Sequence, residues 1–188
     1  MITDLKINAE RKRFYYEKGY WTEKTLGDVW ADRVASHPER TYVSDDQGSS
    51  YTYGEIDDKA ARLAAWLVEQ GVAPGDVVTF QMPTWAEFCI VYVAALKAGA
   101  VMHPLPRNFN DADLVYGMNL VGSRAFICPT KVAKVDFESQ ILSIVDQIPT
   151  LGPVALVDKA APKHSELPTV AEICARYEPI EYLSLIHI

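Results

Sequence analysis

The stretch Leu96-Lys97-Ala98-Gly99-Ala100-Val101-Met102-His103-Pro104-Leu105 constrains the fold of this chain more than any other. An alanine-rich apolar helix runs into Gly99, and a strand begins almost at once. A buried helix must therefore hand over to a buried strand across one tight turn. Glycine suits that point because it reaches the left-handed backbone conformation that ends helices without a Cβ penalty.

The segments on either side repeat this alternation. Val77 to Met82 is an apolar run closed by Pro83, and Thr84 with Glu87 reads as a capping box for a helix from Trp85 to Ala98. Only Glu87 and Lys97 are charged in that helix, the pattern of a helix buried on more than one face. Val101 to His103 is the next strand, Asn110 with Asp113 opens a helix running to Gly122, and Ala125 to Cys128 is another strand. Phe137, Ile141, Ile144, Val145 and Ile148 keep helical phase before a strand at Val154 to Val157. Thr169 with Glu172 starts a last helix that Pro179 ends. Strands separated by helices of this length imply right-handed crossovers and an α/β fold, a mostly parallel sheet with helices on both faces.

Upstream, Thr25 with Asp28 caps a helix whose expected apolar stripe is Leu26, Val29, Trp30 and Val34, and His37-Pro38 ends it. Thr41 to Asp45 and Ser49 to Thr52 flank Asp46-Gln47-Gly48 and predict an N-terminal β-hairpin. Thr52 with Glu55 caps the following helix, where Ile56, Ala60, Leu63, Ala64 and Leu67 form the apolar face and Gly71 the stop. Residues 1–24 are an arm whose Arg11-Lys12-Arg13-Phe14-Tyr15-Tyr16 cluster is assigned no function. Residues 25–182 form the domain. Residues 183–188 look like an in-frame translation of a sequencing adapter and are excluded from the fold argument, so the biological part of this sequence is expected to end at or near Tyr182, leaving a truncated reading frame.

A formal net charge of -7 argues against nucleic acid or an anionic membrane as an obligate partner, since both are held by clustered Lys and Arg. No run of about 18 apolar residues predicts a transmembrane segment. Cys89, Cys128 and Cys174 lie apart in apolar runs, which suits reduced, packed thiols and a cytoplasmic location.

Chemistry is sparse. No GxGxxG or GxxxxGK[ST] loop cradles a phosphate, and the turn between Gly71 and Gly75 contains Pro74, which has no N–H to offer an anion. No spacing of His, Cys, Asp or Glu suits a metal. Three residues merit singling out. His103 is expected at the carboxyl end of a strand, where open parallel sheets bind ligands, although a half-buried His bonded to backbone is the simpler reading. Trp85 is expected as a core anchor at a helix start rather than a pocket wall. Arg107 follows Pro104-Leu105-Pro106 in a loop at the same strand end, where its guanidinium could hold a phosphate through two parallel bonds, or could simply be exposed.

From about Arg11 to Pro179 the residues resemble the N-terminal part of the AMP-forming acyl-CoA synthetases, within the superfamily of CoA ligases, adenylation domains and luciferases. Tyr51-Thr52-Tyr53-Gly54-Glu55-Ile56 resembles the family's first core motif and Leu96 to Leu105 its second, with Trp85-Ala86-Glu87-Phe88 between them. The opening through Trp21 and the Ser50-Tyr51-Thr52-Tyr53 wording resemble the branch acting on short- to medium-chain fatty acids or cyclohexanecarboxylate. The resemblance implies a two-step reaction in which a small carboxylic acid attacks ATP to give an acyl adenylate and diphosphate, and coenzyme A then displaces AMP. It also implies that ATP, magnesium and the catalytic residues belong to a C-terminal remainder of the same enzyme, so that this chain alone is inactive and binds none of these cofactors tightly. Of the family's contacts only one is implied here, Arg107 against a phosphate of coenzyme A. A stand-alone, non-catalytic α/β module that binds a partner would show the same alternation, and fold alone does not choose between them.

Overall fold

The computed structural model describes residues 8–157 and 166–180; Tyr182 and the tail 183–188 lie outside the described residues. Its centre is a four-stranded parallel sheet. A short helix α1 (Ala9–Glu17) and a helix α2 (Leu26–Ser36) lead to the antiparallel hairpin β1 (Thr41–Ser44) and β2 (Ser50–Thr52). Helix α3 (Tyr53–Glu69) follows, then β3 (Val77–Gln81), α4 (Glu87–Lys97), β4 (Val101–Leu105), α5 (Asp111–Val121) and β5 (Ser123–Pro129). A two-residue-a-side hairpin, β6 (Lys131–Val132) and β7 (Val135–Asp136), precedes α6 (Phe137–Ile144), β8 (Val154–Val157) and α7 (Val170–Arg176).

The parallel strands lie in the order β4-β3-β5-β8. Their side chains alternate between two cores. Val78, Phe80, Ala125, Ile127, Ala155 and Val157 join α3, α4 and α7 on one face, while Phe126, Cys128 and Leu156 join α5 and α6 on the other. Helices thus cover both faces, as the alternation predicts. Capping boxes form at Thr25, Thr52, Asn110 and Thr169, and every residue of the expected α3 stripe is buried.

Some expectations are corrected. In α2, Leu26 and Val29 are exposed at 54% and 44%, and the packed face is Gly27, Trp30 and Val34. Strand β4 is not a buried strand: it runs along the sheet edge with Val101 48% exposed, and Pro104, which has no N–H to donate, is tolerated there for that reason. Helix α4 begins at Glu87 rather than Trp85, and no Thr84 capping box forms. Its first turn is held from outside, by Asp45 Oδ2 accepting the Ala86 N–H at 2.9 Å, while Glu87 faces the hairpin. Helix α7 stops at Arg176, before Pro179, because Tyr177 is already extended. The β6–β7 hairpin was not expected; it turns through Ala133 at φ 52°. Of the arm, α1 buries no residue, and Phe14, Tyr15 and Tyr16 pack with Tyr20 and Trp21.

One polar knot joins the helices covering the α3–α4 face. Asp57 Oδ1 accepts from Trp30 Nε1 at 2.7 Å and pairs with Lys97 Nζ at 2.8 Å, the Lys97 side chain being 8% exposed. One carboxylate therefore ties α2, α3 and α4 together. Removing one partner of such a buried pair is expensive, because the other charge stays out of water. Asp57→Ala is expected to lower unfolding free energy by about 3 kcal/mol, read from the midpoint of a urea melt. A midpoint equal to that of the unaltered chain would show the knot contributes nothing.

Candidate functional site

Strand order determines where a cleft can open. From β3 the chain moves to one neighbour, β4, by way of α4, and returns through α5 on the other face to β5 on the opposite side. Loops leaving the carboxyl ends of β3 and β5 consequently diverge, and in open parallel sheets that divergence marks the ligand crevice. A pocket of about 470 Å³ lies there. It is lined by Pro83, Thr84 and Trp85 after β3, by Arg107 after β4, by Lys131, Val132 and Ala133 after β5, and by Asp46 and Gln47 from the β1–β2 turn.

Two cations thus share a cleft on an acidic chain. Arg107 occupies an exposed turn between β4 and α5, and Lys131 opens the β6–β7 hairpin. The Arg107 turn is held from two sides. Gln81, 1% exposed at the end of β3, donates through Nε2 to the Pro106 carbonyl at 2.9 Å, and the Phe109 N–H donates to that same carbonyl at 3.2 Å. Gln140 on α6 donates through Nε2 to Asp111 Oδ1 at 2.9 Å and to the Phe109 carbonyl at 3.3 Å.

The opposite wall is fastened to the start of α4. Asp45 accepts the Gln47 and Ser49 N–H groups through Oδ1 as well as the Ala86 N–H through Oδ2. Ser49 Oγ and Tyr51 Oη donate to Glu87 Oε1 at 3.1 and 3.2 Å. Burial, reinforced by the neighbouring Glu87 carboxylate, pushes the Tyr51 phenol up to about 12.

The residues singled out from sequence divide. Arg107 lines the cleft. Trp85 is both a partner of the α3–α4 core and a wall of the cleft, so the two readings of it coexist. His103 lies away from the cleft, in the middle of β4 opposite Thr79. Its Nδ1 is 3.0 Å from Thr79 Oγ1, which also bonds Ser123 Oγ, and burial holds its pKa below the usual histidine value. It bonds a hydroxyl, not backbone. Burial raises the pKa of all three thiols, the opposite of what a nucleophilic cysteine needs. Among the described residues no group of three or more His, Cys, Asp or Glu side chains converges as a metal site. Sequence reading missed Lys131, Gln81 and Gln140. A polar residue closing the run Val77-Val78-Thr79-Phe80-Gln81 was the available signal for Gln81.

A family model described as AMP-binding enzyme matches residues 30–179. The medium-chain fatty-acid–CoA ligase of Escherichia coli (strain K12) is 36% identical over 167 residues, 89% of this chain and 30% of that protein. The salicyl-AMP ligase / salicyl-S-ArCP synthetase of Mycobacterium tuberculosis is 28% identical over 172 residues, again 89% and 30%. Among solved structures, apo MbtA of Mycobacterium smegmatis matches with a TM-score of 0.77 at 27% identity, covering 95% of this chain and 32% of that one. The anthranilate CoA ligase AuaEII, solved with anthranoyl-AMP, matches at TM-score 0.75 and 15% identity over 87% of this chain and 29% of its own, a likeness of fold alone. The chain spans about 30% of the length of the curated relatives it matches.

The Tyr51 phenol gives the cleft wall a pH signature. Unfolded, the phenol ionises near its ordinary value of 10, and folded it does so near 12. Its contribution is therefore fully present below pH 10 and is lost as pH rises through about 12. Urea melts between pH 9 and 12 are expected to show this fall, and Tyr51→Phe to make it shallower. Identical pH profiles for the two proteins would refute the assignment.

Proposed function

We propose that this chain, which belongs to the AMP-binding enzyme family, forms the amino-terminal part of the adenylate-forming domain of an ATP-dependent carboxylate–CoA ligase that activates a fatty acid. The observation that carries the reading is 36% identity across 89% of the chain to a protein named as a medium-chain fatty-acid–CoA ligase. The cleft supports it. The acid would attack the α-phosphorus of ATP, releasing diphosphate, and the thiol of coenzyme A would then attack the acyl carbonyl and release AMP. Both steps develop charge that fixed donors must stabilise, and no described side chain is assigned that task.

What these residues offer is recognition. Arg107 and Lys131 present positive charge where a strongly anionic group could dock, and guanidinium is the better of the two for bidentate contact with phosphate. We assign Arg107 to a phosphate of coenzyme A, with Lys131 beside it. Trp85, forming part of the same cleft, offers an apolar flank to the nucleotide. On this reading magnesium would be held by the C-terminal remainder of the enzyme.

The test begins with the coding DNA, resequenced across the Tyr182 codon without transposon adapters; on this reading the frame continues into a Ser/Thr/Gly-rich loop. The product of that longer frame is expected to catalyse ATP–diphosphate exchange dependent on a fatty acid, whereas the 188-residue chain alone does not. Arg107→Ala in the longer product is expected to raise KM for coenzyme A about tenfold, equivalent to about 1.4 kcal/mol, and to leave the exchange reaction unchanged. Absence of exchange with every carboxylic acid tried would sink the ligase reading.

A further inference from the structure

We propose that Gln81 and Gln140 are positioning residues that clamp the Pro106–Phe109 turn and so aim Arg107 into the cleft, an inference that rests on the reading of Arg107 as a coenzyme A phosphate ligand. The two glutamines come from separate elements, the end of β3 and the middle of α6. They grip opposite ends of one turn: Gln81 holds the Pro106 carbonyl, and Gln140 holds the Phe109 carbonyl and the first residue of α5 through Asp111. Arg107 sits between the two points of attachment.

The amide oxygens make the argument sharper. Gln81 Oε1 and Gln140 Oε1 are both buried, and neither has a hydrogen-bond partner among the described residues. An orphaned buried acceptor is destabilising, and a side chain of similar volume without it would pack in the same place at less cost. The donor end of each amide is therefore what the fold gains, and both donor ends are spent on the same turn. The clamp also couples the two cations. Helix α6 is entered directly from the β6–β7 hairpin that carries Lys131, so Gln140 ties the Arg107 turn to the element that positions Lys131.

Methionine nearly matches glutamine in length and removes the donor. In the longer product, Gln81→Met is expected to raise KM for coenzyme A by about tenfold and to bring it towards the KM for dephospho-coenzyme A, which lacks the 3′-phosphate, while ATP–diphosphate exchange stays within about twofold. Combined with Arg107→Ala it should add nothing further, since it acts through Arg107. An additive double variant, or an unchanged KM, overturns the proposal. The second measurement needs no ligase activity: in the 188-residue chain, hydrogen exchange at the Phe109 amide should accelerate about tenfold or more in Gln81→Met while the β3 amides keep their protection. Unaltered Phe109 protection rejects the clamp whatever the enzyme does, and Gln140→Met supplies the same test from α6 if the first variant does not fold. Loss of exchange activity in the unaltered longer product would count against the ligase reading alone.

Discussion

The register between β3 and β4 is fixed at their amino ends, and the cleft at the other end inherits it. Gly99 takes φ +69°, which lets α4 end and the chain reverse without delay. Its carbonyl accepts the Gly75 N–H at 2.9 Å, and the Val101 N–H donates to the Asp76 carbonyl at 2.8 Å. The turns before the two strands are thereby bonded to each other, which sets Val77 opposite Val101 and, four residues on, Gln81 opposite Leu105. Because side chains alternate along a strand, a slip of one residue would turn Gln81 to the other face and release the Pro106 carbonyl. A glycine far from the cleft thus bears on whether Gln81 reaches the turn that carries Arg107.

A second dependence runs through acids that leave their expected local roles. Glu87 stands where a capping box for α4 would need it, yet it receives the Ser49 and Tyr51 hydroxyls, while the Ala86 N–H just ahead of the helix is taken by Asp45. An exchange of partners has occurred between hairpin and helix, each supplying the carboxylate the other uses. The result is long-range. The hairpin becomes a wall of the cleft instead of a mobile flap, because breaking it away would strand polar groups at both ends.

This exchange explains how far the sequence could be read. Capping at Thr25, Thr52, Asn110 and Thr169 depends on groups three residues apart, so it was legible from the chain alone. At Thr84 the same three-residue signal misled, because the competing partner lies about forty positions away and no local pattern reports it. Leu26 and Val29 failed for a related reason: periodicity names the apolar side of α2, but contact with Trp30, Val34 and α3 chooses which part of it is covered. The position of Arg107 just past a strand end was legible because Pro104-Leu105-Pro106 closes β4 immediately before it. Lys131 was not, since only the folded sheet, in which β3 lies between β4 and β5, brings the loop after β5 to the cleft that Arg107 lines.

The placement of charge in the cleft follows from the same topology. The chain carries an excess of acids, and a dispersed set of lysines and arginines would be screened over about 8 to 10 Å at physiological salt. Here two cations line one cleft, with Asp46 on its hairpin wall. Holding them there requires rigid loops, and rigidity in a loop requires bonded carbonyls. For the Arg107 turn those bonds come from Gln81 and Gln140, whose buried amide oxygens remain unpaired among the described residues. Each buried amide leaves an oxygen unpaired, and what it supplies in return is a donor to the turn that carries Arg107. On the proposed reading this is the kind of local inconsistency that folded proteins tolerate where they recognise a ligand, because an apolar side chain at either position would avoid the unpaired oxygen but leave the turn unheld.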